Sequence, residues 1–502
     1  MRPFAVILVA MVCAQVPTPR PAVSASVRLE DWALFRSSAP AVLGWKIGIR
    51  ASAFPELTFW EAAAKVDALG LAAIAGDSAL NVSREIPKKL DHKLASGELE
   101  AVKDRLRALN MRMPAYFTAS IGPDESSIRK LFEFGKSLGV ETIISASEPS
   151  ALIQKFATEY GIRVTGQIVN LRSPGMADTL RELHRQELKP PFLAVEPSNV
   201  ADLDKALHPI LADRVNQISR AAAIRGHERL TPEERQKVEA ALPQRAPVKP
   251  KKPRKLLVMD LNVAYGGHRS IPHANLAVEL MGKKTGAYEA VFSNDLDNLK
   301  PGRIQRFDAI YLNNTVGMIF VDPEVRDGLT RFVREGGGLA GNHGVSHTSM
   351  DWAEFGEMIG TKWGVHREPT EQATVRIDDP THPLTSAFGG QAFVYQDEFF
   401  RFPIGPYSRE KLRVLLTIDV EKTDMNQGRP CPKPCVRADN DYAVSWIRSY
   451  GKGRVFFCIL GHNPTLYMTP PLAEYFLAGI QFILGDLEAD TTPSARLHRG
   501  TQ

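Results

Sequence analysis

Cysteine is nearly missing from this chain. Four residues in 502 are too few and too scattered for a disulfide scaffold or a thiolate zinc centre. Runs of eighteen or more apolar residues do not occur, which argues against a membrane-spanning helix. No sign of charge prevails either. Against 62 Lys and Arg stand 57 Asp and Glu, and a net charge of +5 is too dilute to suggest nucleic acid as a partner. What remains is a chain that is 44% apolar and 24% charged, enough for two or three globular domains each burying its own core. A homo-oligomer is compatible with this composition.

The first residues differ from the rest. Arg2 precedes the apolar run Phe4–Val12, and Val23-Ser24-Ala25 closes the segment with small residues. A positive start, a short apolar core and a small-residue end read as a secretory signal peptide over 1–25, hence export to a periplasmic or extracellular space. Cys13 lies inside it, but Ala10-Met11-Val12 lacks the small residue a lipoprotein signal requires just before the cysteine. In an oxidising compartment Cys431-Pro-Lys-Pro-Cys435 could close a small disulfide loop. Cys458, within the apolar run Val455–Leu460, reads as a core residue.

Three blocks follow. Between 44 and 224 short apolar runs alternate with amphipathic ones. Strands are expected at Trp45–Ile49, Leu71–Ala75, Thr142–Ser145 and Val164–Val169, and helices at Phe59–Leu69, Leu99–Leu109, Leu131–Leu138 and Leu152–Tyr160. Strands separated by helices imply βαβ units and a parallel sheet. Residues 225–253 are a joint. Thr231-Pro232-Glu233-Glu234 starts a helix that fades by Leu242, and Pro243–Pro253 is a semi-rigid linker with solvated Lys and Arg. From 254 to 486 the α/β pattern resumes, from strand Leu256–Met259 to a last helix at Leu472–Leu484. Residues 487–502 read as a disordered tail.

Seven of the twelve histidines fall in the third block, most of them just after expected strands, where α/β folds place ligands. His343 and His347 follow strand Leu339–Gly341, and His462 follows strand Val455–Ile459. Both strand ends run into glycine-containing turns, Gly341-Asn342-His343-Gly344 and Gly461-His462-Asn463-Pro464. Imidazoles there suit proton transfer or metal ligation near neutral pH. In Asp397-Glu398 only one carboxylate of the extended pair can face a pocket. His382, in Asp-Pro-Thr-His-Pro, reads as a turn residue.

The third block resembles the ThuA-like (trehalose utilisation) family. The resemblance rests on Gly266-Gly267-His268-Arg269 with His273, Asn313-Asn314-Thr315, Gly336–His343, Trp352, Phe355-Gly356 and His366. It continues through Asp379–Pro383, Asp397-Glu398-Phe399, Tyr450–Phe456 and Gly461-His462-Asn463. It implies a flavodoxin-like three-layer α/β/α domain of the class I glutamine amidotransferase-like superfamily, in which the strand-to-helix corner at 338–344 would carry a catalytic cysteine. Asn342-His343 occupies that corner here. Imidazole cannot form a glutamyl thioester, so amidotransferase chemistry is not expected. The stretch from His343 to Trp352 is also shorter than the resemblance leads one to expect.

The first block resembles, more weakly, the sugar-phosphate isomerase/epimerase type of TIM barrel, through Thr58–Ala62, Leu69-Gly70-Leu71 and Leu131–Val140. Its length falls short of the roughly 250 residues of a full barrel. A partial or degenerate TIM-barrel-like α/β domain is expected, with Glu148 and Glu196 not read as metal ligands.

Together these readings predict an exported protein of disaccharide or keto-sugar catabolism, acting by isomerase, epimerase, lyase or hydrolase chemistry. The alternative is a non-catalytic secreted carbohydrate-binding or assembly protein. His343, His462 and Glu398 are the candidate catalytic residues, with Glu398 chosen on the resemblance. His268, His273, Asn314, His347, His366, Trp352, Trp446 and Asn463 are the candidate substrate contacts. No cofactor is certain; a divalent ion (Zn or Mn) could be held by His343, His366, His462 and Glu398.

Overall fold

The computed structural model describes residues 38–146, 149–362, 364–402, 407–426 and 437–497. The segment 1–25 expected to direct export, the expected Cys431–Cys435 disulfide loop and Glu148 lie outside the described residues.

In the first half, β1 (Ile47–Arg50), β2 (Ala73–Asp77), β3 (Arg112–Phe117), β4 (Thr142–Ile144), β5 (Arg163–Thr165), β6 (Val169–Leu171) and β7 (Leu193–Val195) form one sheet. The order is β5-β4-β3-β2-β1-β7-β6, parallel throughout. Its two edge strands are consecutive in sequence. Residues 166–168 join them, a link that spans at most about 14 Å. The sheet must therefore curl back toward itself, giving a half-barrel. The single strand expected at Val164–Val169 is in fact two, split near Gly166: β5 pairs with β4, and β6 with β7. β3 was not anticipated because it contains Pro114, which takes one donor out of a ladder. An extra residue opposite β2, between Arg112 and Ala115, absorbs the proline. The helix Phe59–Ala68 starts on a reciprocal capping box between Thr58 and Glu61.

After β7 the helix Val200–Ala221 leads out of the half-barrel. Pro209 interrupts its sequence pattern, which is why periodicity alone does not announce it. Its far end docks on the second half: Asn216 Nδ2 donates to Asp322 at 2.8 Å, and Arg220 pairs with Asp297 at 3.0 Å. Helix Pro232–Ala241 begins at Thr231 with the expected cap. The linker after it is strapped down. Val248 exchanges two hydrogen bonds with the Gln481 side chain, while Lys251, Lys252 and Arg254 pair with Glu488, Asp308 and Asp486. The basic run is thus a set of specific ties, and buried residues of both halves form one contiguous core.

The second sheet comprises β8 (Lys255–Met259), β9 (Glu289–Phe292), β10 (Ala309–Asn313), β11 (Gly338–Asn342), β12 (Glu371–Ile377), β13 (Phe393–Asp397), β14 (Arg413–Ile418), β15 (Ala443–Tyr450) and β16 (Gly453–Cys458). Its order is β13-β12-β14-β15-β16-β11-β10-β8-β9. The parallel part, β9-β8-β10-β11-β16, has the flavodoxin-like order 2-1-3-4-5, and the other four strands extend it antiparallel. Two glycines report the layers on either side. A Cβ on Gly338 would strike Ile483 of helix Pro470–Leu484, and one on Gly453 would strike Val333 of helix Pro323–Arg334. Gly338 pairs with Arg454, so Gly453 faces the opposite side. Residues 487–497 are not a disordered tail: Ser494 Oγ accepts from Val414 N, and Asp490 pairs with Arg413.

Candidate functional site

In the parallel part of the second sheet, the order in which successive strands are added reverses between β8 and β10, and the carboxyl ends there form the crevice where such folds bind ligands. His268 follows β8, Asn314 follows β10, His343 follows β11 and His462 follows β16; the antiparallel β13 delivers Asp397 and Glu398. Five segments far apart in sequence therefore meet over one sheet edge.

His343 sits at the sharp corner between β11 and a 3-10 turn, with φ +42°. This left-handed conformation costs a non-glycine residue roughly 1 kcal/mol or more. The corner is held by Gly344 N donating to Asn314 Oδ1 at 3.0 Å and by His343 Nδ1 meeting the Ile459 carbonyl at 2.9 Å. The carbonyl fixes the proton on Nδ1 and leaves Nε2 as a lone pair. That Nε2 is buried without a hydrogen-bond partner, 3.3 Å from Glu398 Oε2.

The other rings close around it. His268 and His462 lie 4.8 and 5.3 Å from His343 between ring centroids, and 5.2 Å from each other. His268 Nδ1 is also buried and unpartnered, while its Nε2 is 3.4 Å from the Tyr265 hydroxyl. Burial, reinforced by His343 and His462, pushes the His268 pKa down to about 3, so this ring is neutral at physiological pH. One ligand atom from each of His268, His343, His462 and Glu398 falls within 4.8 Å of all the others.

Glu398 is mostly buried, which disfavours its charge. The imidazoles of His343 and His366 beside it outweigh that and hold its carboxyl well below the usual range. Its Oε1 lies 2.9 Å from His366 Nδ1. The adjacent Asp397 points the other way. It is fully buried and accepts from Gly461 N at 2.8 Å and Asn463 N at 3.0 Å, pinning the turn that carries His462 to the strand that carries Glu398. Burial pushes the Asp397 pKa up against those bonds. Phe400 forms one wall, stacked on His343 at 4.6 Å and against His347 and His366.

Other expected contacts are placed elsewhere. Asn314 and Asn463 serve the scaffold. Asn314 Nδ2 donates to the Gly461 carbonyl, and Asn463 Nδ2 to the carbonyls of Pro369 and Gln396. His273 is buried on its helix, 3.5 Å from Glu234 of the joint. Trp446 is fully buried, stacked on Phe457 and donating to the Ile359 carbonyl. Trp352 packs on Phe355 and Phe320. Both tryptophans are core residues and cannot stack on a sugar. His347 lies beside the cluster but outside it, half-buried against Phe400, its pKa pushed down to about 4 by desolvation.

Sequence reasoning missed Tyr265, Phe400 and Arg225. The last belongs to the joint, yet its backbone N donates to the buried Asp260 carboxylate at 2.8 Å. Its guanidinium donates to the Asp260 carbonyl at 2.7 Å and to the Gly266 carbonyl at 3.3 Å. The loop that carries His268 is thus gripped from the preceding segment. Only the Gly266-Gly267 pair, which lets backbone approach closely, could have hinted at such a contact.

Residues 255–483 match the ThuA family model, described as trehalose utilisation. No curated protein matches the chain. Among solved structures, a putative ThuA-like protein of Bacteroides uniformis is 18% identical, with 47% of this chain and 93% of that one covered at a TM-score of 0.38. Another from Parabacteroides merdae is 14% identical, covering 48% and 93% at 0.35. An alpha-L-fucosidase isoenzyme 2 of Paenibacillus thiaminolyticus is 10% identical over 88% and 84%, at 0.31. The match of residues 255–483 to the ThuA family model thus marks the second half of this chain as a ThuA-like domain.

Proposed function

We propose that His268, His343, His462 and Glu398 bind a divalent transition-metal ion, Zn or Mn, and that the ThuA domain uses it to act on a carbohydrate. The observation that carries this is the pair of buried, unpartnered imidazole nitrogens beside a carboxylate. Leaving such atoms dry and unbonded costs about 1–3 kcal/mol each, and a cation would satisfy both. Three imidazoles and one carboxylate, without thiolate, suit zinc, manganese and their neighbours. With bonds of about 2.0–2.1 Å, ligand atoms lie no more than about 4.2 Å apart. The four side chains would therefore draw in by a few tenths of an ångström on binding.

A bound ion would polarise a sugar carbonyl or hydroxyl. The chain's own groups supply the rest. His343, buried and oriented by a carbonyl, acts as a ligand and not as a proton shuttle, which revises the role expected for it from sequence. Glu398 turns one oxygen to the cluster and the other to His366. His366 is half open to solvent with Nδ1 engaged, which leaves Nε2 to exchange a proton with substrate. Proton movement beside a polarised carbonyl is isomerase, epimerase or lyase chemistry. The trehalose link of the family supports a disaccharide or its keto form as substrate, and the pattern at 1–25 supports export.

Protein purified without chelator should carry about one ion per chain by elemental analysis, as expected for one four-ligand site. Screening disaccharides and their 3-keto forms by mass spectrometry should give a product that disappears on chelation and returns with Zn or Mn. A chain that takes up no ion from either salt, with an unmoved melting temperature, would sink the proposal. Binding of sugar without turnover would point to a carbohydrate-binding protein instead.

A further inference from the structure

The half-barrel has a mouth of its own. A cavity of about 700 Å³ opens at the carboxyl ends of its strands, the face on which barrel enzymes of every chemistry hold their ligands. It is large enough for a sugar-sized molecule. Beneath it Ala75, Ala115, Phe117, Ile144, Phe192 and Ala194 form a separate apolar cluster, so the barrel interior is plugged and the mouth is a blind pocket.

Its polar lining is unevenly spent. Asp77 is 3% exposed, and its carboxylate already accepts from Arg50 Nε at 2.8 Å, Ser52 Oγ at 2.5 Å and Ala79 N at 2.9 Å. Its charge is matched and its acceptor capacity largely filled. Arg50 lies over the Phe117 ring at 4.0 Å, which anchors the guanidinium in the pocket lining. It uses only Nε on Asp77 and leaves both terminal nitrogens unbonded among the described residues. Arg172, just beyond β6, lines the same cavity and makes no ion pair or hydrogen bond among the described residues. The unspent capacity is therefore two guanidinium forks, with the Asn170 amide and the Glu196 carboxylate beside them.

Guanidinium forks match carboxylates in bidentate geometry, while an amide and a carboxylate suit hydroxyl groups. We propose that this mouth binds a small hydroxylated carboxylate, a sugar acid, with the acid group on Arg172 and Arg50 and hydroxyls on Asn170 and Glu196. The site is independent of the histidine cluster and contributes no imidazole.

Glucuronate is the probe, with glucose as its uncharged counterpart. Both are titrated calorimetrically into the full-length H343A chain, where the histidine cluster lacks a ligand and its contribution is suppressed. Glucuronate should bind and glucose should bind at least about tenfold more weakly, and R172A on the same background should weaken glucuronate by about tenfold, as losing a charge-assisted pair implies. Arg172 is exposed, so that variant should keep its circular dichroism; R50K, which retains the charge but loses the fork, gives a second reading. Absence of glucuronate binding, equal binding of the two sugars, or binding unaffected by R172A and R50K would each overturn the proposal. Binding present in the native chain and lost in H343A would return the ligand to the histidine cluster.

Discussion

Both halves of the molecule end their parallel strands on a polar crevice, yet the two crevices are furnished differently. Over the second sheet the donors are imidazoles and one carboxylate, buried, close-packed and short of hydrogen bonds. Over the half-barrel they are guanidiniums and hydroxyls around a carboxylate that is already satisfied. Topology explains why there is a crevice in each place; donor chemistry decides what each can hold. Lone pairs aimed inward call for a cation, and unspent N–H groups for an anion.

The sharpest way to break this contrast is to remove one lone pair. H343A or E398A should lose the bound ion altogether in elemental analysis, since a missing ligand costs more than the 10–100-fold typical of a lost outer-shell partner. R172A should keep the ion. Equal metal content in all three would erase the distinction. Next in size is the framework of the histidine site. Arg401 and Glu371, both essentially buried, form a bidentate ion pair, and Arg401 bridges to Val365 next to His366. Removing one partner strands a buried charge, so E371A should lower unfolding free energy by about 3–5 kcal/mol in urea titration.

A pH series sharpens the contrast further. In the chelator-treated protein His268 is neutral with its pKa near 3, below the ordinary value of 6.5. The unfolded chain binds that proton first. The stability its neutral ring contributes is complete above pH 6.5 and is lost as the pH falls toward 3. H268Q should therefore flatten the acid limb of melting temperature between pH 6.5 and 4. Changes at the barrel mouth, whose described lining has no histidine, should leave that limb alone. A limb as steep in H268Q as in the native chain would contradict the assigned burial. The smallest effect belongs to the joint. T231A removes the cap on helix Pro232–Ala241 and should cost about 1 kcal/mol, with metal content unchanged.

Much of the second half was legible because strands such as β8, β14 and β16 carry continuous apolar runs and its helices carry explicit ends. Asp322 caps the helix Pro323–Arg334 and Pro323 opens it. The half-barrel was less so: Pro114 hides β3, and β7 is only three residues long. For the site, position after a strand gathered His343 and His462, the resemblance added His268, and period-two alternation left one of Asp397 and Glu398 to face inward. Sequence could not distinguish an aromatic facing a pocket from one facing the core, hence Trp352 and Trp446. His273 failed for a related reason. It lies in the helix that His268 merely precedes, and five residues of chain turned it toward Glu234.

The grip of Arg225 on Asp260 and Gly266 bears on how the gene can be dissected. A clone beginning at residue 255, where the family match starts, would discard the splint that braces the His268 loop and would leave the wholly buried Asp260 without its cation, on the Asn275 and Asn294 amides alone. A fragment that keeps residues 222–253 retains both, so the working unit reaches further upstream than its homology does.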